Sequence, residues 1–193
     1  MAIPIYALID RTLIDRYGCS IEEIAGRIEE SALPIAQYRD KSSSLRDIEE
    51  ALKRLSSIFG GRVIVNDHVE LAGAVDGVHI GQEDLVAYGP DAESAIATIR
   101  ERVGDGIIGV STHSPEEIEI ANGLDIDYIG LGAYRNSGTK SVSSVGGERL
   151  VSYASASLHP VAIIGGIDWS DEFPEDIISY RVMGSALFER LCR

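Results

Sequence analysis

Residues 63–85 read VIVNDHVELAGAVDGVHIGQEDL. Two apolar runs in this part of the chain, 62–65 and 77–80, each have the length and β-branched content of a buried strand. Each is followed by a turn carrying a carboxylate, Asp67 after the first and Asp84 after the second. In α/β proteins ligands sit beyond the carboxyl ends of the strands. Two carboxylates delivered there by separate strands suggest a magnesium site, because a hard cation takes oxygen ligands and usually bridges protein to phosphate. A lone aspartate after a strand is more often a turn former or helix cap; two on adjacent strands shift the weight towards a metal.

Working outward, similar β-rich runs recur at residues 5–9, 33–38, 107–110, 128–131, 161–164 and 181–183, which makes eight. Between them lie segments with apolar residues at helical spacing, such as Ile21, Ile24 and Ile28, or Leu45, Ile48, Leu52 and Leu55. Eight strands with seven intervening helical segments and a final helix over 186–191 fit an α/β fold of the (βα)8 TIM-barrel type better than an open doubly wound sheet. The absence of GxGxxG after the first strand also lowers the dinucleotide-binding alternative. The chain, residues 1–193, is expected to form a single TIM-barrel domain, at the small end for that fold.

A net charge of −14 repels nucleic acid and anionic membrane, which both require a basic face. Anionic substrates would therefore need local cations or a metal. No stretch reaches membrane-spanning length, and the N-terminus begins directly with a strand-like run, so a soluble cytoplasmic protein is expected. Cys19 and Cys192 lie near opposite ends without CxxC spacing and read as two reduced thiols. Oligomeric state stays open, a homo-oligomer included.

Along residues 35–41, alternation sends Gln37, Arg39 and Lys41 to one side and Ala36 and Tyr38 to the other. In a barrel strand that polar side faces inward, where two cations cost desolvation unless an anion meets them; the plain alternative is a solvated strand end with paired charges. His79 alternates onto the same inner face and reads either as a core histidine or as a functional one. Ser111–His113 follow the fifth strand, with hydroxyls that either cap the helix beginning near Pro115 or bind phosphate. Residues 132–140, GAYRNSGTK, join hydroxyls and a cation in one loop. Gly165-Gly166 and Gly184-Ser185 follow the seventh and eighth strands, where glycines let backbone N–H groups approach a phosphate or simply permit tight packing.

In order, YALIDR, QYRDK, VNDHVELA, DGVHIGQEDL, IGVSTHSPEE, DYIGLGAYRNSGTK, AIIGGI and VMGSAL resemble the motif series of the thiamine phosphate synthase family over nearly the whole chain. DGVHIGQEDL is the most specific match, whereas AIIGGI occurs in many phosphate-binding barrels. The resemblance implies a transferase of thiamine biosynthesis that joins hydroxymethylpyrimidine diphosphate to a thiazole phosphate, releasing diphosphate, and carbon dioxide when the thiazole is carboxylated. It implies that the pyrimidine ionises before the thiazole nitrogen attacks, so the protein stabilises the leaving group and aligns the partners. It further implies that Asp67 and Asp84 hold magnesium and that Gln37, Arg39, Lys41, Asn66, Ser111 and Lys140 surround the pyrimidine diphosphate. Arg39, Lys41 and Lys140 would carry the catalytic charge. Ser137, Thr139, Gly165, Gly166, Gly184 and Ser185 would touch the thiazole phosphate.

The chain departs from the family pattern GPxxxTxTK, with Ala133 in place of its Pro, Ser137 in place of its first Thr, and the cation Arg135 at an ordinarily apolar or aromatic position. A related thiazole tautomerase shares the fold and uses a histidine in the region of residues 111–114, which His113 fits. Asp67, Asp84, Lys41 and Lys140 favour the synthase, because an isomerase has no diphosphate to release. A third reading is a non-catalytic phosphate-binding relative.

Overall fold

The computed structural model describes residues 2–136 and 145–192. Its elements run β1 Ile5–Asp10, α1 Arg11–Tyr17, α2 Ile21–Glu30, β2 Ile35–Arg39, α3 Leu45–Ile58, β3 Arg62–Asn66, a 3-10 segment Val69–Ala74, then β4 Gly77–Ile80. They continue with a short 3-10 turn Leu85–Ala87, α4 Ala92–Val103, β5 Ile107–Thr112, α5 Pro115–Ala121, β6 Tyr128–Leu131, α6 Arg149–Ala154, β7 Val161–Ile163, β8 Tyr180–Met183 and α7 Ser185–Leu191. The eight strands close into a parallel barrel in chain order, and β1 joins both ends, Ala7 standing opposite Ala36 of β2 and Met183 of β8. This is the eight-stranded barrel expected from the run of apolar segments.

The side-chain period of two sorts each strand into an inner and an outer set. Tyr6, Leu8, Ile35, Ile64, Tyr128, Ala162 and Val182 pack together as one apolar cluster, the filling of the barrel. The alternate residues, among them Ala7, Ile9, Ala36, Val63, Val65, Val78, Ile80, Ile108, Val110, Ile129, Leu131 and Ile163, join the larger core shared with the helices. Two large inner side chains need two small neighbours. A Cβ on Gly130 would lie 2.8 Å from Cε1 of His79, and one on Gly109 only 2.5 Å from the Tyr128 hydroxyl oxygen.

The helices begin where their caps dictate. Ser20 and Glu23 form a capping box at α2, while Ser44, Asp91 and Ser114 each accept a backbone N–H at the starts of α3, α4 and α5. Ile48, Leu52 and Leu55 give α3 its buried stripe against the sheet.

Two connections differ from the expected helices. Between β3 and β4 the chain forms the 3-10 segment, which advances roughly 2.0 Å per residue against 1.5 Å for an α-helix and so spans the barrel in fewer residues. Between β7 and β8, residues 164–179 form turns without a helix. Pro174 opposes a helix interior there, and backbone carbonyls of the segment are engaged by side chains: Arg181 Nη1 donates to the Asp171 carbonyl at 2.9 Å. The thiols of Cys19 and Cys192, remote in sequence, are free and 3.3 Å apart, and burial raises Cys192 to about 12. Among the described residues no helix is long and apolar enough to cross a membrane.

Candidate active site

At the carboxyl ends of the strands lies a pocket of about 360 Å³, within the range of small-molecule sites. Every strand except β7 contributes to its lining, and the turns after β7 and β8 add to it; the lining includes Asp10, Gln37, Arg39, Asn66, His79, Ser111, Gly165, Gly166, Gly184 and Ser185. Inner-face alternation thus delivers Gln37 and Arg39 of β2 to one cavity, and Tyr38 packs outward with its hydroxyl donating to Asp40 at 3.2 Å. Burial works against a charge on Asp40, yet hydrogen bonds from Ser42 and Ser43 overcome it and hold the carboxyl down at about 2. That carboxylate fixes the turn that carries Lys41.

Lys41, Asp67 and Asp84 stand outside that lining. Lys41 Nζ is 3.1 Å from Asp67 Oδ2. Asp67 adopts a left-handed φ of 65°, which aspartate tolerates better than most residues, and its N–H donates to the His79 carbonyl of β4 at 2.8 Å. Asp84 is pushed above the ordinary carboxyl range, first by burial and then by the Asp67 charge. Its Oδ2 is buried and has no hydrogen-bond partner among the described residues. A buried, unpartnered carboxylate oxygen facing a second carboxylate is an arrangement that a divalent cation relieves. The donor set therefore fits magnesium, with the remaining coordination left to water and substrate oxygen, as is usual for this ion. Among the described residues, Asp67 and Asp84 are not joined by a third acidic, histidine or cysteine ligand.

Arg39 is ion-paired with Asp10, which also caps α1 by accepting from Thr12 N–H at 2.9 Å. Asp10 lay in plain view in the sequence as the end of β1. Its part in holding Arg39 escaped sequence reading because nothing in one chain shows that Asp10 and Arg39 fall opposite each other in register.

A polar chain crosses the barrel beneath the pocket. Gln37 Nε2 donates to Tyr6 OH at 3.1 Å, the Tyr6 and Tyr128 hydroxyls are 2.9 Å apart, and Tyr128 OH is 2.9 Å from His79 Nδ1. His79 Nε2 is in turn 3.0 Å from Ser111 Oγ, whose carbonyl accepts from Gln82 Nε2 at 2.9 Å. Burial raises both tyrosines far above their ordinary range, so they stay neutral donors. Passing each hydroxyl proton onward from Gln37 places the His79 proton on Nε2 and leaves the Ser111 hydroxyl proton available to the pocket. His79 is thus both a satisfied buried side chain and a pocket wall. The two tyrosines were not singled out in the sequence.

After β7, Gly165 and Gly166 have φ of 99° and 61° and line the pocket beside Ser185, whose Oγ is buried without a partner among the described residues. His113 pairs with Glu117 at 3.1 Å and Ser114 caps α5, so capping is the observed role at that helix start. Arg135 forms a two-pronged pair with Asp171 and is no free cation. Ser137, Thr139 and Lys140, expected around the phosphates, lie outside the described residues.

Comparison with known proteins places the chain in a family. Residues 5–189 match the family described as thiamine monophosphate synthase. The chain is 36% identical over 178 residues to a thiamine-phosphate synthase of Persephonella marina, covering 87% of this chain and 78% of that one. It is 35% identical over 170 residues to a thiamine-phosphate synthase of Methanosarcina barkeri, covering 83% and 73%. Among solved structures, thiamine phosphate pyrophosphorylase from Pyrococcus furiosus superposes with a TM-score of 0.76 at 23% identity, covering 98% of this chain and 95% of that one, a likeness that carries the fold. The chain belongs to the thiamine monophosphate synthase family, and its activity is the thiamine-phosphate synthesis of that family, a transferase reaction of thiamine biosynthesis.

Proposed function

We propose that this synthesis takes place at the mouth of the barrel, with the diphosphate of the pyrimidine substrate held on the β2–β4 side and the thiazole phosphate on the β7–β8 side. The observation that carries the reading is the carboxylate pair Asp67 and Asp84, one oxygen of which is buried and unpartnered among the described residues, next to Lys41. Magnesium bound by this pair would supply charge neutralisation to the diphosphate oxygens as they leave.

The chain's own residues do the rest. Arg39 and Lys41, brought up by one strand and the turn after it, face developing negative charge on the leaving diphosphate. Asp10 holds Arg39 in place. Gln37 and Ser111, locked by the buried polar chain, offer directed hydrogen bonds to the pyrimidine and its diphosphate, and Asn66 adds an amide beside them. As the bond from the pyrimidine methylene carbon to oxygen breaks, its electron pair leaves with diphosphate; the thiazole nitrogen then donates its pair to form the new carbon–nitrogen bond. Alignment of the two substrates, not a covalent nucleophile, lowers the barrier. Lys140, Ser137 and Thr139 belong to this reading through the family motif alone.

The test is a coupled assay. Purified protein given the pyrimidine diphosphate and the thiazole phosphate should release diphosphate with magnesium, and Asp67→Ala should lose that turnover while remaining folded by circular dichroism. Unchanged turnover in Asp67→Ala would remove the proposed metal role.

A further inference from the structure

A trans peptide points its N–H away from its C=O. Three successive carbonyls after β7 are engaged by the β6 loop: Tyr134 N–H donates to the Ile164 carbonyl at 2.8 Å, Arg135 N–H to that of Gly165 at 2.8 Å, and Arg135 Nη1 to that of Gly166 at 2.9 Å. The N–H groups of Gly165, Gly166 and Ile167 belong to the same three peptides and are therefore turned away from that loop. All three residues line the pocket, and none of these N–H groups has an acceptor among the described residues. Gly165 and Gly166, at φ of 99° and 61°, form a turn, and successive backbone N–H groups of a turn make a concavity that takes an anion. In the same lining sits the buried Ser185 Oγ, without a partner among the described residues.

The third carbonyl is held by a side chain, and that side chain is itself clamped. Arg135 Nη1 and Nη2 lie 2.7 and 2.6 Å from the two oxygens of Asp171, and the guanidinium stacks 4.8 Å from the Tyr134 ring centre. Asp171 is fixed in turn by the Asp168 N–H at 2.7 Å and, through its carbonyl, by Arg181 of β8. The cation that breaks the family's loop pattern is thus committed to a carboxylate and a backbone oxygen.

We propose that Arg135 and Asp171 are positioning residues for a phosphate monoester: the pair holds the Gly166 carbonyl outward so that the Ile167 N–H faces the anion beside those of Gly165 and Gly166, which the backbone of the β6 loop fixes, and Arg135 makes no contact with it. The inference rests on reading the Gly165-Gly166 turn as the thiazole phosphate site. It accounts for Arg135, one of the loop's three departures, as a means of fixing a backbone cradle. It also separates two roles that a simple charge argument would merge, because freeing Arg135 from Asp171 has opposite effects in each. If Arg135 gripped phosphate directly, Asp171→Asn would release the cation and tighten binding; if the pair is a latch, Asp171→Asn loosens the cradle and weakens binding.

The full chain labelled with nitrogen-15 is titrated with inorganic phosphate while the amides of Gly165, Gly166 and Ile167 are followed, and folding is checked by circular dichroism. The wild type should show saturable shifts at these amides, and Asp171→Asn and Arg135→Met should weaken phosphate roughly tenfold, the scale of one lost charge-assisted hydrogen bond. In the synthase assay, KM for the thiazole phosphate should rise by a similar factor with KM for the pyrimidine diphosphate unchanged, a split that general loosening would not give. Tighter or unaltered phosphate binding in Asp171→Asn would overturn the latch. Should that variant not fold, Arg135→Lys decides: the latch requires weakened binding because an ammonium cannot fork, and retained binding would show direct contact. Phosphate-dependent shifts in a wild type that makes no thiamine phosphate would keep the latch and sink the synthase reading; turnover without those shifts would do the reverse.

Discussion

Asp84 sets its carboxylate against that of Asp67 at the ends of adjacent strands, and burial together with the neighbouring charge raises its affinity for a proton. Without a cation the pair is a source of repulsion. Asp84→Asn should therefore raise the melting temperature in chelator by about 2–4 °C, the shift that ~1 kcal/mol produces in a chain of this size. Magnesium should stabilise the wild type and leave the variant unmoved. Thermal melts with and without magnesium check both halves; a variant that still responds to magnesium would place the ion elsewhere.

The placement of the carboxylate pair was the part of the site most legible in the sequence, because Asp67 and Asp84 lie in the turns after two short apolar runs and the strand-to-turn boundary fixes where they emerge. The same holds for Gln37 and Arg39, where a period of two settles which face they share. Tyr6, Tyr128 and Asp10 were illegible for one reason: their roles depend on register around a closed barrel, which no local pattern encodes. Tyr6 and Tyr128 are 122 residues apart in the chain and 2.9 Å apart at their hydroxyls. The β7–β8 connection misled for another reason, since the alternation of strands and helices predicts a helix where turns built on Pro174 and the Arg181 guanidinium are found.

Removing one hydroxyl from the buried chain should be felt at the pocket. Tyr128→Phe leaves His79 Nδ1 and Tyr6 OH each short of a partner, at a cost on the order of 1–3 kcal/mol in stability. The nitrogen-15 shifts of His79 should lose the pattern of a single Nε2–H tautomer, and KM for the pyrimidine diphosphate should rise with KM for the thiazole phosphate unchanged. An unaltered His79 spectrum would show that the tautomer is set without Tyr128.

Asp40 gives the turn before α3 a pH limit. Its folded value, about 2, lies below the ordinary 3.8, so its contribution to stability is complete above the unfolded value and is lost as pH falls from about 4 through 2. Asp40→Asn should flatten that part of the acid stability curve and lower stability near neutrality. Urea titrations at pH 7, 4 and about 2.5 measure it, and parallel curves for the two proteins would contradict the assignment.

Gly166 has no room for a side chain on either count. Its φ is 61°, and a Cβ there would sit 2.8 Å from Cβ of Arg135. Gly166→Ala should cost about 1–3 kcal/mol and raise KM for the thiazole phosphate, whereas Gly18→Ala, at a similar φ but with open space around it, should cost only the backbone part, about 1–2 kcal/mol. Denaturant midpoints of the two variants compare them directly.

The most direct measurement mixes the purified chain with the pyrimidine diphosphate and the carboxylated thiazole phosphate, with magnesium or with chelator, and follows thiamine phosphate and diphosphate together. Equal amounts of the two products, formed with magnesium and suppressed by chelator, are expected. No thiamine phosphate at saturating substrates, or turnover indifferent to the chelator, would contradict a metal-assisted synthase at the Asp67–Asp84 edge of the barrel.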